Sequence, residues 1–244
     1  MTLLPLPGRL RIAFNRDESR KRPPALPPVQ RTCDGRQAIM PIDPVSDGTW
    51  IAANDAGLVG ALLNLYRFDK HGGEPHKGTH SRGEIVPALM ECPTVDAAVE
   101  CILRLRRSMH FSPFSLVITD GRCLREFKAH GGAVSITPVR PIERPELFTS
   151  SGLGDALVYP PRRRLFDEMF AHPRDPIATQ DAFHRHAWPD HPELSVCMAR
   201  REARTVSLTV VEMRARETSL QYYPAPPNEP VASVELTLRL EAAA

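Results

Sequence analysis

Hydrophobic and polar residues alternate along GRLRIAFN, where Leu10, Ile12 and Phe14 stand against Arg9, Arg11 and Ala13. A period of two predicts a half-buried strand. TWIAANDAGLVGALLNLY predicts two more strands joined at the turn-forming NDAG. Between these segments lies RPPALPPVQRTCDG, whose four prolines cannot donate ladder hydrogen bonds, so an extended loop is expected there. In SRGEIVPALMEC, Ser81 and Glu84 have the spacing of a capping box, and Pro87 sets the helix start near Glu84. Thr94 caps a clearer helix over VDAAVECILRLRRSM. Its Val95, Ala98, Val99, Ile102 and Leu105 share one face, and basic residues near its end suit the helix dipole.

Farther along, FSLVITDG, RCLREFKAHGG and AVSITPV read as a meander of three short strands separated by Asp-Gly and Gly-Gly turns. A short helix is expected around RRRLFDEMFA, followed by a polar, solvated connection HPRDPIATQDAFHRHAWPDHPE. The strands LSVCMAR, TVSLTVVEMRA, TSLQYYP and ASVELTLRL complete the pattern. Antiparallel runs of strands with helices grouped between them predict an α+β domain in which helices cover two packed sheets. With 244 residues and 42% apolar content, a single domain over 1–244 is expected.

Charge and cysteine content narrow the function classes. The 31 basic and 29 acidic residues are interspersed, a balance that disfavours an electrostatic nucleic-acid binder. Five cysteines without C-x-x-C pairing indicate neither a disulfide framework nor a zinc knuckle, and a reducing cytoplasm suits them. No apolar run approaches the ~20 residues of a membrane span. The opening MTLLPLPGRLRIAF carries prolines and arginines where a signal peptide has an unbroken apolar region. His71, Glu74, His76 and His80 offer metal-type ligands, but their spacing in HGGEPHKGTH matches no established pattern, so neither a metal nor another cofactor is expected.

The stretch NRDE crowds Asn15, Arg16, Asp17 and Glu18 at the end of an apolar strand. Asp17 alone would pass as a turn acceptor. It does not stand alone: AFNRDESRKRPPALPP, SDGTWIAANDAGLVGALLN and SRGEIV occur in that order. Together they resemble the NRDE family, which includes the transport and Golgi organisation 2 proteins. The resemblance rests on Asn15 to Glu18, Pro23, Gly48 to Trp50, Asn54, Gly57, Asn64 and Ser81 to Gly83. It implies an N-terminal nucleophile hydrolase fold, a four-layer αββα sandwich of two antiparallel sheets covered by helices, related to cysteine-dependent acylases of penicillin V and bile-salt type. In those enzymes the N-terminal cysteine attacks an amide while its own α-amine moves the proton. By that resemblance Asp17 orients the amine, Asn15 and Arg16 line or brace the site, and Asn64 donates to the oxyanion. Ser150 would stand where the acylases carry a second asparagine, and Arg204 would match a substrate-binding arginine, with Arg200 or Arg201 as neighbouring alternatives.

One part of the pattern is not matched. The family opens Met-Cys-Thr, whereas this sequence opens MTLLPLPG with no cysteine before Cys33. Thr2 does not substitute. It lies three residues closer to Asn15 than the acylase nucleophile does to its asparagine, an offset of ~10 Å that also turns the side chain to the other face. The expectation is a chain that lacks its nucleophile as written, with a start three codons upstream supplying the cysteine. Two functions then follow from the resemblance. One is an amidohydrolase acting on a small acyl amide. The other is a noncatalytic protein that binds or traffics a small molecule such as haem or an acyl-lipid.

Overall fold

A computed structural model describes residues 1–66, 78–130 and 132–241. The metal-type ligands His71, Glu74 and His76 lie outside the described residues. The strands are β1 (Thr2–Leu6), β2 (Arg9–Ser19), β3 (Leu26–Cys33), β4 (Arg36–Ile42), β5 (Ile51–Asn54), β6 (Val59–Asn64) and β7 (Phe114–Thr119), then β8 (Cys123–His130), β9 (Ala133–Ile136), β10 (Arg140–Pro141), β11 (Glu146–Leu147), β12 (Ala203–Arg214), β13 (Glu217–Tyr223) and β14 (Val234–Arg239). Among the described residues four α-helices join them: α1 (Ile85–Leu89), α2 (Val95–Ser108), α3 (Asp155–Phe170) and α4 (Pro176–Arg185). One sheet runs β11-β1-β2-β12-β13-β14; the other runs β10-β8-β7-β6-β5-β4-β3, with β9 on β8. Neighbouring strands pair antiparallel throughout.

The alternation on β2 decides how the layers stack. Leu10, Ile12 and Phe14 enter the core between the sheets, where they meet Ile39, Ile51, Ala61 and Tyr222. The other face of β2 meets α4: Arg11 donates to Gln180 Oε1 at 2.6 Å and to Asp181 Oδ1 at 2.7 Å. On the far side of the second sheet, Ile85, Val86 and Leu89 of α1 and Val99 and Ile102 of α2 pack on Ala52, Leu62, Leu116 and Phe127. The order helix, sheet, sheet, helix is the αββα sandwich.

Local chemistry explains most elements. Thr94 Oγ1 accepts from Ala97 N at 3.1 Å and starts α2. Asn54 Oδ1 accepts from Ala56 N and Leu58 N, and Gly57 supplies a φ of 79°, so NDAG turns between β5 and β6. Ser81 and Glu84 form both bonds of the capping box, but on a 3-10 turn at Arg82–Glu84 that leads into α1.

Four expectations are corrected. The proline segment is not wholly a loop: from Leu26 it forms β3, an edge strand whose register breaks between Leu26 and Val29, because an edge tolerates prolines that donate nothing. The helix around RRRLFDEMFA begins earlier, at Asp155, and runs through Pro160 and Pro161. The segment expected to be a solvated connection holds α4. Asp175 caps it by accepting from Ile177 N and Ala178 N, Pro176 fits its first turn, and Gln180, Phe183 and His184 are buried. LSVCMAR is not a strand; only an isolated bridge joins Ala199 to Arg204.

Candidate active site

A cavity of about 550 Å3 opens where the ends of β1, β2 and β6 meet the chain following β11. Its lining includes Asn15, Arg16, Asp17, Asn64 and Ser150, five of the six residues singled out in the sequence. Adjacent residues of a strand point to opposite faces. A register shift on β12 between Thr205 and Ser207, opposite Asp17 and Arg16, twists this end of the sheet so that both border one space.

Asp17 is held at the cavity floor by Thr205, whose Oγ1 donates to Oδ1 at 2.6 Å. Burial pushes its carboxyl above the usual range, against the pull of Arg162, the Thr205 bond and the Met1 amino group. The Met1 amino group, fully enclosed, donates to Phe148 O at 2.8 Å. Burial and then the Arg162 charge push it down to about 5, and Asp17 opposes the shift. An amine in these surroundings is mostly unprotonated at neutral pH.

Arg162 is the main residue that the sequence reading missed. It donates to Leu194 O (3.0 Å), Ser195 O (2.6 Å) and Thr149 Oγ1 (2.7 Å), so its charge faces the cavity and Asp17. A signal was present. Val158, Arg162 and Phe166 are the buried residues of α3 and recur every fourth position, which places an arginine where a helix stripe calls for a hydrophobe.

Asn15 is occupied as a brace. Its Nδ2 donates to His184 O and Val196 O, each at 3.0 Å, while its Oδ1 lies 2.9 Å from His184 Nδ1. His184 Nε2 in turn lies 2.8 Å from Thr2 Oγ1, which also accepts from Gln180 Nε2 at 2.8 Å. Burial holds the His184 imidazole well below its ordinary pKa. A neutral ring that donates from Nδ1 and accepts at Nε2 satisfies the whole chain and pins the heads of β1 and β2 to α4.

Arg16 faces the space between the sheets. Its guanidinium lies 4.3 Å from the centre of the Trp50 ring and donates to Asp43, which also receives Arg22 Nε at 2.8 Å and Nη2 at 3.0 Å. Trp50 is 8% exposed, and its Nε1 has no partner among the described residues. The motif segments Gly48 to Trp50 and Ser81 to Gly83 close on one another here. Thr49 N donates to Gly83 O at 3.0 Å, and a Cβ on Gly48 would fall 2.3 Å from that oxygen. Arg82 donates to Pro113 O at 2.9 Å.

Asn64 ends β6 with its Nδ2 donating to Tyr66 Oη at 3.1 Å, leaving a second amide hydrogen. It also borders an adjoining cavity of about 810 Å3 that reaches Lys128, Arg140 and Tyr159. That space is larger, but the buried titratable groups belong to the first. Arg204 is not brought to the site: it lies 3.4 Å from Glu229 and is half-exposed. Arg200 lines the cavity instead, because the chain before β12 is irregular and turns Arg200, not Arg204, inward. Among the described residues no cysteine lines the cavity. Cys197 lies behind it, and burial pushes its thiol up to about 11.

Two packed antiparallel sheets with helices on both outer faces, and a cavity at the head of β1, define the N-terminal nucleophile hydrolase fold. Solved structures agree. Penicillin V acylase from Agrobacterium tumefaciens matches with a TM-score of 0.56 at 12% identity, over 96% of this chain and 84% of that one. A variant of conjugated bile acid hydrolase from Clostridium perfringens gives 0.51 at 10% identity, over 100% and 97%. The Caenorhabditis elegans N-acylethanolamine-hydrolyzing acid amidase ortholog gives 0.51 at 12%, over 94% of each chain. The family model for Transport and Golgi organisation 2 matches residues 8–141, more than half of the sequence, and the chain belongs to that family. No curated protein matches it by sequence. No described helix is long and apolar enough to cross a membrane.

Proposed function

We propose that the cavity is the active site of an amide hydrolase of the N-terminal nucleophile type, acting on a small acyl amide, and that residues 1–244 work as one domain. The supporting observation is the cavity at the head of β1, where the buried Asp17 carboxyl and the buried Arg162 guanidinium line the same space as Asn64 and Ser150. Burial beside a cation favours the neutral, proton-accepting form of an amine placed there. The antiparallel registers of β1 with β2 and with β11 extend the strand outward past Met1. A residue two positions ahead of Met1 would stand opposite Arg16 and beside Ser150.

In the proposed reaction a cysteine at that place gives its thiol proton to its own amine, and the thiolate attacks the amide carbonyl. The free Nδ2 hydrogen of Asn64 donates to the developing oxyanion. Collapse breaks the C–N bond, the proton leaves with the amine product, and water then hydrolyses the thioester. Arg162 and Asp17 keep the amine poised; Arg16 and Asn15 brace the strand that carries them.

The test is kinetic. A chain extended by Met-Cys-Thr ahead of Met1 should hydrolyse N-acyl amino acid amides, and Asn64→Ala should lower kcat by about 100-fold with little change in melting temperature. Equal turnover in Asn64→Ala would reject the role. A second reading, noncatalytic binding or trafficking of haem or an acyl-lipid, draws support from Trp50 Nε1 in the cavity wall, which has no partner among the described residues. Saturable ligand binding by the extended chain without turnover would favour it.

A further inference from the structure

Away from the cavity, α1 ends at Leu89 and the chain turns through Met90, Glu91 and Cys92 towards the Thr94 cap of α2. Cys101, on α2, packs against this turn: its Sγ lies 3.4 Å from Glu91 Oε1 and 3.5 Å from Ala88 O. The Glu91 oxygen and the Cys92 and Cys101 sulfurs all lie within 4.8 Å of one another. Both cysteines are free thiols, buried at 4% and 3% exposure, while Glu91 is half-buried and reaches solvent.

The spacing has a chemical meaning. With Zn–S near 2.3 Å and Zn–O near 2.0–2.2 Å, a tetrahedral site sets its sulfur and oxygen about 3.5 Å apart and its two sulfurs about 3.8 Å apart. The 3.4 Å separation of Cys101 Sγ and Glu91 Oε1 fits that edge. The backbone is held in place from outside the turn, since Asn54 Nδ2 donates to Met90 O at 3.0 Å and to Cys92 O at 2.8 Å. Arg104 Nη2, 3.8 Å from Glu91, is a loose and exposed competitor for the carboxylate.

We propose that Glu91, Cys92 and Cys101 form a site for one thiophilic divalent cation of the zinc class, with water in the fourth position. Binding releases the two thiol protons to solvent and leaves two thiolates and one carboxylate on the metal. Its place at the α1–α2 corner, against the Asn54 turn on the outer face of the second sheet, makes it independent of the hydrolase reading.

Cobalt(II) is the probe for the full, reduced chain. The expected result is one Co2+ per chain with a thiolate-to-cobalt charge-transfer band in the near ultraviolet, displaced by Zn2+. Cys92→Ser and Cys101→Ser should each abolish the band and weaken Zn2+ binding by at least about 100-fold, and Glu91→Gln by about tenfold. Cys123→Ser, at the start of β8, should leave both unchanged. If a serine variant fails to fold by circular dichroism, the wild-type chain gives the answer: Zn2+ must slow N-ethylmaleimide labelling of Cys92 and Cys101, mapped by mass spectrometry. No charge-transfer band, a band that survives in Cys101→Ser, or unchanged labelling with Zn2+ would overturn the assignment.

Discussion

Asp17 is a carboxyl whose burial raises its pKa in the folded chain. Its protonation therefore favours folding: the contribution is fully present in acid, below the ordinary value near 3.9, and is lost as pH rises through the raised folded pKa. An asparagine in its place has no proton to lose. Asp17→Asn should gain in melting temperature relative to wild type as pH rises from about 4 towards 8, and a pH-independent difference would contradict this account. Asp43 has the opposite sign. Burial alone would raise its pKa, but the bonds from Arg22 and Val45 N and the Arg16 charge outweigh it, so its contribution is lost as pH falls through the depressed value. Trp50 makes a simpler prediction. It fills the wall beneath Arg16, and Trp50→Ala should cost about 3 kcal/mol in urea denaturation. The convergence of Asp17 and Asn64 on one space was legible only through the order of the motifs, since nothing in either local stretch brings a strand-end carboxylate to a strand-end amide. Arg162 was missed because it sits among three consecutive arginines, two of which face outward, and Arg204 was favoured over Arg200 because the irregular chain before β12 has the composition of a strand.

At the scale of elements, periodicity located the strands and caps located the helices wherever both signals agreed, as for β2, β5, β6 and α2. It failed where polar residues hid a buried face. On α4, Arg11 of β2 makes Gln180 a satisfied buried residue, and His184 is closed by Asn15 and Thr2, so a helix that reads as solvated is wedged against a sheet. The Asp175-Pro176 pair was the local sign of its start. Asp175→Ala should remove two capping bonds and cost about 1 kcal/mol in urea denaturation, leaving the melting profile a single transition. A change within error would mean that the packing of Phe183 against Phe166, ring centres 5.5 Å apart, holds the helix without its cap.

At the scale of the whole molecule, the cavity exists because the heads of β1 and β2 run out between two helical layers. One layer contributes Arg162 and His184, and the other sheet contributes Trp50 and Asn64. The class of fold was legible in the sequence, while the buried electrostatics needed the assembled layers. The central claim is that this cavity is built around a nucleophile at the head of β1. Its most direct test is intact mass spectrometry of the chain extended by Met-Cys-Thr, after removal of the initiator methionine, exposed to an N-acyl β-lactone. The account predicts one acyl group per chain, located on the N-terminal cysteine peptide, absent from the chain that begins at Met1 and strongly slowed by Asp17→Asn. A folded extended chain that takes up no label on that cysteine, or labels equally with Asp17→Asn, would contradict it.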